Sequence, residues 1–322
     1  MAAKNSGPFI RTAIESIISQ SYRQLELIIV NDGSTDNTEE EILQFGDERL
    51  IYISNKQTVG NETSRNIAWN HAKGKYIALM DSDDRCHPRR LEWQLEYLKK
   101  NEKIAGVGSY MTLWMAEKKF TEKYAASPAY IEAQMFYKFA MPHAPCMFRK
   151  VEFDRLDQLY DPKWTMMEDY ELFWRASRAG LQFSNLKKIL YDYRIHPGQE
   201  SQIFKQEREN KLKEFFRSRL KVLDITLIES DLVIFHGFLR KTSSINAHDA
   251  DRIEEMIWHC IHQNNKLRQF PEKEFDAVSL FQLLRLAKCR YLLTGKKINF
   301  PRAALKAIID TGLSSAYTLL KK

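Results

Sequence analysis

The chain has 322 residues, 44% hydrophobic and 28% charged with few Gly and Pro, a globular composition that leaves room for one large or two ordinary domains. It has no run of about 18 consecutive apolar residues, so no spanning helix is expected, and the start MAAKNSGPFIR lacks the apolar core of a secretory signal. The formal charge of +7 is concentrated near one end, where nine Lys/Arg between Ser279 and Lys322 face one acid, Asp310.

Pro8 and the helical recurrence of Ile10, Ile14, Ile17 and Ile18 predict a helix over 8–22. The apolar run Leu25 to Val30 predicts a strand covered on both faces, followed by a turn at Asn31-Asp-Gly-Ser-Thr-Asp36. A helix over Thr38 to Phe45, a strand over Leu50 to Ile53 and a helix over Glu62 to Lys73, closed by Gly74, come next. Tyr76 to Met80 reads as a strand and His87 to Lys99 as an amphipathic helix opened by Pro88. This alternation predicts an α/β fold with a mostly parallel, doubly wound sheet and helices on both faces. The stretch 105–194 is mixed, with strands at Ala105–Tyr110, Cys146–Phe148 and Ile189–Arg194 and a helix over Glu168–Ala179 ended by Gly180. Beyond Gln199 the pattern is helical, which suggests a first domain over 1–200, with halves 1–110 and 111–200, and a helical region over 201–322. A doubly wound sheet opens with a strand before its first helix. Met1–Asn5 is too short for a buried strand and its turn, so the sheet is expected to lack its first strand.

Several strand ends carry chemistry. Ligands of open α/β sheets bind beyond the carboxyl ends of the strands, which is where Asp32 stands, as acceptor for a ligand donor or as part of an Asx-type turn. Asp81-Ser82-Asp83-Asp84 ends an apolar strand with three carboxylates, the hard oxygen donors that Mg²⁺ or Mn²⁺ take together with substrate phosphates. A helix cap needs one acid at that place, not three, and Asp84 is the one near the following helix. Arg65, in the preceding helix, is suited to touch a diphosphate or to hold an acid in place. Glu168 and Asp169 open a helix; acids are common there, and one facing the cleft is a natural general base. His196 and His143 are candidates for metal or phosphate contact, with a structural role as the alternative. The cysteines Cys86, Cys146, Cys260 and Cys289 show no metal or disulfide spacing, and a reducing cytoplasm is the expected location.

In this order, AIESIISQSYRQLELIIVNDGSTDNT, SRNIAWNHAKGKYIALMDSDDRCHPRRLEWQ, MEDYELFWRASRAG and YDYRIHPGQES resemble the family 2 glycosyltransferases of the GT-A fold. The resemblance runs from Asn5 to Ser201. It implies a nucleotide-sugar-binding half over 1–110 and an acceptor-side half over 111–200. Asp32 then resembles the acid that contacts the nucleobase, Arg65 a donor-site residue, Asp81 the ribose-side end of a DxD motif and Asp83 its metal ligand. His196 is a further metal candidate; Asp84, Glu168 and His143 are neighbours without an assigned role. Asp169 resembles the catalytic base of an inverting displacement, with Mg²⁺ or Mn²⁺ as cofactor and a nucleotide sugar, UDP-linked by expectation, as donor. The acceptor implied is a glycan or lipid-linked hydroxyl. Family members carry an apolar strand ahead of the position of Asn5, so a misassigned start is expected here, with true truncation as the alternative.

A non-catalytic nucleotide-sugar or glycan-binding relative is the competing reading. A nucleotidyltransferase is disfavoured because no Gly-rich phosphate loop follows the first strand. In the tail, Leu280, Leu283, Leu284, Ala287, Tyr291 and Leu292 form an apolar face with Arg285, Lys288 and Arg290 interleaved. Such a segment suits peripheral contact with an anionic membrane through 279–322, on the inner face of the cytoplasmic membrane; the alternative is a helical cap on the catalytic domain. Nucleic acid is not an expected partner.

Overall fold

The computed structural model of the chain describes residues 1–115, 118–199, 205–241 and 245–294. The chain divides into two compact units, one of Met1–Pro128 with Ala140–Arg208 and one of Ala129–Phe139 with Glu209 onward.

The first unit begins with β1 (Ala2–Ala3), α1 (Gly7–Ile18), β2 (Leu27–Asn31), α2 (Thr38–Leu43), β3 (Leu50–Ser54) and α3 (Asn61–His71). Then come β4 (Tyr76–Ala78), β5 (Arg85–Cys86), α4 (Arg90–Lys100), β6 (Ile104–Met115) and β7 (Lys118–Glu122). After α5 (Pro128–Tyr137) follow β8 (Met147–Arg149), α6 (Lys150–Phe153), a 3-10 turn at Pro162–Trp164, α7 (Glu168–Arg178) and β9 (Gln182–Ile195). The helix α8 (Lys205–Lys221) comes next.

The strands form two sheets, β1-β2-β3 and β4-β8-β6-β9-β5, with β7 paired to β6. The parallel expectation holds for β1–β2–β3 and for β6–β9, whereas the pairs β4–β8, β5–β9, β6–β7 and β6–β8 are antiparallel. Where the sequence predicted no first strand, Ala2 and Ala3 pair in parallel with Val30 and Asn31. β2, apolar from Leu27 to Val30, is buried along its length, as a strand covered on both faces must be. Ile10, Ala13, Ile14 and Ile17 of α1 are buried at helical spacing in the same core as Ile29. Each such isoleucine contributes about 1.5–3 kcal/mol by leaving water. A cavity of about 1000 Å³ lies beside β2 and β4; Leu27, Ile28, Ile77, Leu95 and Met147 line it, and it reaches Arg65 and Tyr160.

Pro88 does not open α4. His87 N–H donates to Leu190 O and Ser21 N–H to Pro88 O, which holds this stretch against its neighbours, and the helix starts at Arg90. Arg90 is fully buried. Its guanidinium donates to the carbonyls of Leu79 (2.8 Å), Ala144 (3.3 Å) and Cys146 (3.2 Å), and so fixes the chain just before the carboxylate cluster.

The second unit is helical, with α5, the later part of α8, α9 (Glu229–Arg240), α10 (Ala247–Leu267) and α11 (Glu272–Thr294). Its core is aromatic: Phe136 meets Phe216, Phe270 and Phe275 at ring-centroid distances of 6.2, 5.5 and 5.3 Å. The predicted apolar face of the tail is used here only in its first part, since Tyr291 and Leu292 are exposed. Leu280, Leu283 and Leu284 are buried, Arg285 donates to Phe238 O, and Arg290 pairs with Asp251 and Glu254. The rest of the basic segment, 295–322, lies outside the described residues. Among the described residues, no helix is long and apolar enough to cross a membrane.

Candidate active site

The turn after β2 closes on its own aspartate. Asp32 accepts from Val59 N–H at 2.8 Å and Asn55 Nδ2 at 3.0 Å on one oxygen, and from Gly60 N–H at 3.0 Å on the other. Burial alone would raise its pKa, but these donors more than offset that and hold it below the usual range. Both oxygens thus already serve the fold by pinning the loop 55–60. Gly33 makes the approach feasible: it has φ +64°, and a Cβ there would stand 2.9 Å from Thr58 N. Asn55 also bonds Ser64 on α3 at 3.2 Å, so the pinned loop leads into the helix that carries Arg65.

Arg65 joins two regions far apart in sequence. It donates to Asp81 Oδ1 at 2.9 Å and to Glu168 Oε1 at 2.8 Å, and its guanidinium lies 5.8 Å from the Tyr160 ring centroid. Burial opposes its charge, but Asp81 and Glu168 hold the proton still more firmly. Asp81 itself sits at the end of β4, its N–H donating to Tyr191 Oη on β9 at 3.1 Å.

Asp83 and His196 form the second link. His196 Nε2 lies 3.0 Å from Asp83 Oδ2, and Gln199 Nε2 lies 3.4 Å from the same oxygen. Burial and then the charge of Asp81 push Asp83 upward. Asp84 is not a helix cap: it is 1% exposed, accepts from Arg194 N–H of β9 at 2.7 Å, and its Oδ2 is buried without a hydrogen-bond partner. Burial and the charges of Asp83 and Asp81 raise it well above the ordinary carboxylate range.

Among the described residues, no three His, Cys, Asp or Glu side chains converge as a ready metal site. The donor set still fits a hard cation with phosphates completing its shell: Asp83 supplies an oxygen, His196 a nitrogen, and the crowded carboxylates gain from positive charge.

The base candidates open α7. Met166, just before it, adopts left-handed backbone (φ 68°); its N–H donates to Glu62 Oε1 at 3.3 Å and its carbonyl accepts from Arg208 Nε at 3.3 Å. Burial pushes Glu168 upward, against the pull of Arg65. Burial also raises Asp169, while Arg208, the Tyr170 N–H at 2.8 Å and Arg65 hold it down. The Asp169 residue as a whole is half-buried.

The structure therefore brings together Arg65, Asp81, Glu168 and Asp169, and separately Asp83 with His196; Asp32 is tied to the group through Asn55 and Ser64. His143 departs from its metal or phosphate reading. It is buried with Nε2 2.8 Å from Tyr160 Oη, and burial keeps its pKa well below the ordinary value. Sequence reasoning passed over Glu62, Asn55, Tyr160 and Arg208. Glu62 stands three residues before Arg65 on the same helix face, a signal that was present. Tyr160 and Arg208 carry no readable pattern.

The family described as Glycosyl transferase family 2 matches residues 1–155. A Haemophilus influenzae protein described as an uncharacterized glycosyltransferase is 31% identical over 259 residues, covering 73% of this chain and 79% of that one. The chain belongs to glycosyl transferase family 2. This glycosyltransferase is also similar to the putative glycosyltransferase EpsE of Bacillus subtilis, 32% identical over 64% of this chain and 74% of that one. Its fold is GT-A: the crystal structure of S. aureus TarS 1–349 covers 96% of this chain and 86% of that one, with a TM-score of 0.59 at 15% identity.

Proposed function

We propose that this glycosyltransferase moves a sugar from a UDP-linked donor to a hydroxyl of a glycan or lipid-linked acceptor, with inversion. The observation that carries the reading is Arg65, whose guanidinium bonds Asp81 of the donor-side cluster and Glu168 beside the candidate base. Two relatives support the donor and acceptor classes. The Escherichia coli protein WfaP, 29% identical over 67% of this chain and 81% of its own, is described as a UDP-Glc:alpha-D-GlcNAc-diphosphoundecaprenol beta-1,3-glucosyltransferase. TarS has been solved in complex with UDP-GlcNAc.

In this reading Asp169 accepts the proton of the acceptor hydroxyl. The oxygen forms its bond to the anomeric carbon from the face opposite the nucleotide. The bond from that carbon to the diphosphate breaks, and its electron pair leaves on the phosphate oxygen. Arg65 and Asp81 hold the donor end, and Asp32 keeps the loop 55–60 in place beside it. Mg²⁺ or Mn²⁺ held by Asp83 and His196 would offset charge on the departing diphosphate. For a lipid-linked acceptor the enzyme works at a bilayer surface, and peripheral contact would then fall to the part of the basic segment 279–322 beyond Thr294, because Arg290 is held in ion pairs.

The test is release of nucleoside diphosphate from a panel of UDP-sugars with Mn²⁺. Asp169→Asn is expected to lower kcat by roughly 10²–10⁴-fold, the usual worth of a general base. Asp83→Ala is expected to abolish metal-dependent turnover. Activity that survives both substitutions would overturn the mechanism. Donor binding without turnover by the unsubstituted chain would favour the non-catalytic reading.

A further inference from the structure

We propose that Arg65 is a positioning residue for the general base: through Glu168 it ties the first turn of α7 to the donor-side acid Asp81, so that the donor end and Asp169 are held as one unit. The inference rests on Asp169 being the base, and it goes further by assigning Arg65 and Glu168 a joint role that donor contact does not require.

The geometry is specific. The two nitrogens of the Arg65 fork point to carboxylates 87 positions apart in the chain, at 2.9 Å and 2.8 Å. The side chains of Arg65 and Glu168 are 14% and 12% exposed, so water screens the pair little. A surface ion pair contributes almost nothing. A pair hidden to this degree is costly if one partner is lost, which makes it a firm tether. Tyr160 bounds the guanidinium on a third side, and His143 bonds the Tyr160 hydroxyl, so the fork has little freedom to turn away.

The tether is attached where the backbone needs one. Met166 sits in left-handed backbone just before α7, a conformation that costs a non-glycine residue roughly 1–2 kcal/mol. Two contacts hold it, from Glu62 of α3 and from Arg208 of α8. Arg65 and Glu62 lie one turn apart on α3, so one helix grips α7 both before and at its first residue. The helix α3 is in turn fixed by the loop that Asp32 pins. An unbroken series of contacts thus runs from the end of β2 to the base.

The largest charge effects on the base and its neighbour come from named groups. Glu168 faces Arg65, Asp169 and Glu62; Asp169 faces Arg208, Arg65 and the Tyr170 N–H. Loss of the Arg65 cation makes ionisation of Asp169 harder and moves the acid limb of activity to higher pH.

The experiment compares Arg65→Met, Arg65→Lys, Glu168→Gln and the double variant Arg65→Met/Glu168→Gln with the unsubstituted enzyme, measuring kcat and donor KM across pH and checking each fold by circular dichroism. Glu168→Gln keeps shape and removes charge, so it guards against simple misfolding of Arg65→Met. Activity of the unsubstituted enzyme and its loss in Asp169→Asn first establish the base, so failure there is distinct from failure of the tether. Displacing a base by about 1 Å costs up to about 100-fold. Arg65→Met and Glu168→Gln are each expected to lower kcat roughly 10- to 100-fold, and the double variant to be no worse than Arg65→Met, because groups that act as a unit are not additive. Arg65→Met is further expected to move the acid limb of kcat/KM upward, and Arg65→Lys to restore it. Additive losses, an unmoved limb in a folded Arg65→Met, or a change confined to donor KM would each overturn the proposal.

Discussion

Asp32 accepts three hydrogen bonds from the loop 55–60 and leaves neither oxygen idle. Its replacement by Ala removes three hydrogen bonds to a charged acceptor, two of them from the partly buried amides of Val59 and Gly60. Asp32→Ala is therefore expected to lower the stability of the chain by roughly 1–3 kcal/mol in denaturant melts. The pH dependence has a definite sign. A carboxylate whose folded pKa is depressed stabilises above its ordinary pKa of 3.8, and that contribution is lost as pH falls through the lower folded value. Melts taken from pH 6 down to pH 2 should thus fall less steeply in Asp32→Ala than in the unsubstituted chain; parallel curves would count against the assignment. Asp84 makes the opposite point. Its place near Pro88 suggested a cap, but its bond goes to Arg194 on β9, a partner 110 positions away that no local pattern signals.

At the scale of elements, the strongest local signals held best. The apolar run of β2 and the isoleucine spacing of α1 reappear as buried elements, because burial on both faces, or on one stripe, leaves little choice of residue. The long pair β6–β9 was legible only in part. Expected as Ala105–Tyr110 and Ile189–Arg194, the strands run Ile104–Met115 and Gln182–Ile195, with register shifts near Tyr110. Their outer parts are mostly half-exposed, although Met111–Met115 of β6 is largely apolar, so the pairing itself stabilises them and sequence alone shows little. Gly106 lies in the tight part of β6, where an added Cβ would meet Phe148 at 2.8 Å and Phe183 at 3.1 Å. Gly106→Ala is expected to cost about 1–3 kcal/mol by overpacking, while activity per folded molecule stays close to normal. A thermal melt with an assay on the folded fraction checks both; unchanged stability would mean that the rings have room to move.

At the scale of the molecule, the helical unit takes residues from two places, Ala129–Phe139 and the chain from Glu209 onward. Phe136 lies at the centre of its aromatic core, which a boundary drawn from the end of strand alternation could not reveal. The same core takes Leu280, Leu283 and Leu284 of α11 but leaves Tyr291 and Leu292 exposed, and ion pairs hold Arg290. Any binding to vesicles of anionic lipid should therefore depend on 295–322: removal of that segment is expected to abolish co-flotation, and Arg290→Gln to leave it intact. Retained, salt-sensitive binding by the shortened chain would refute that division. The sequence by itself determined the family, the alternating α/β elements and the residue types of the site, because apolar periodicity and acids at strand ends are local properties of the chain. Tertiary structure decided which carboxylate does what. Arg65 selects Asp81 and Glu168, His196 selects Asp83, and Asp84 turns inward to β9. Those choices depend on which buried charges can find a partner, and a partner is fixed only once distant strands and helices have packed.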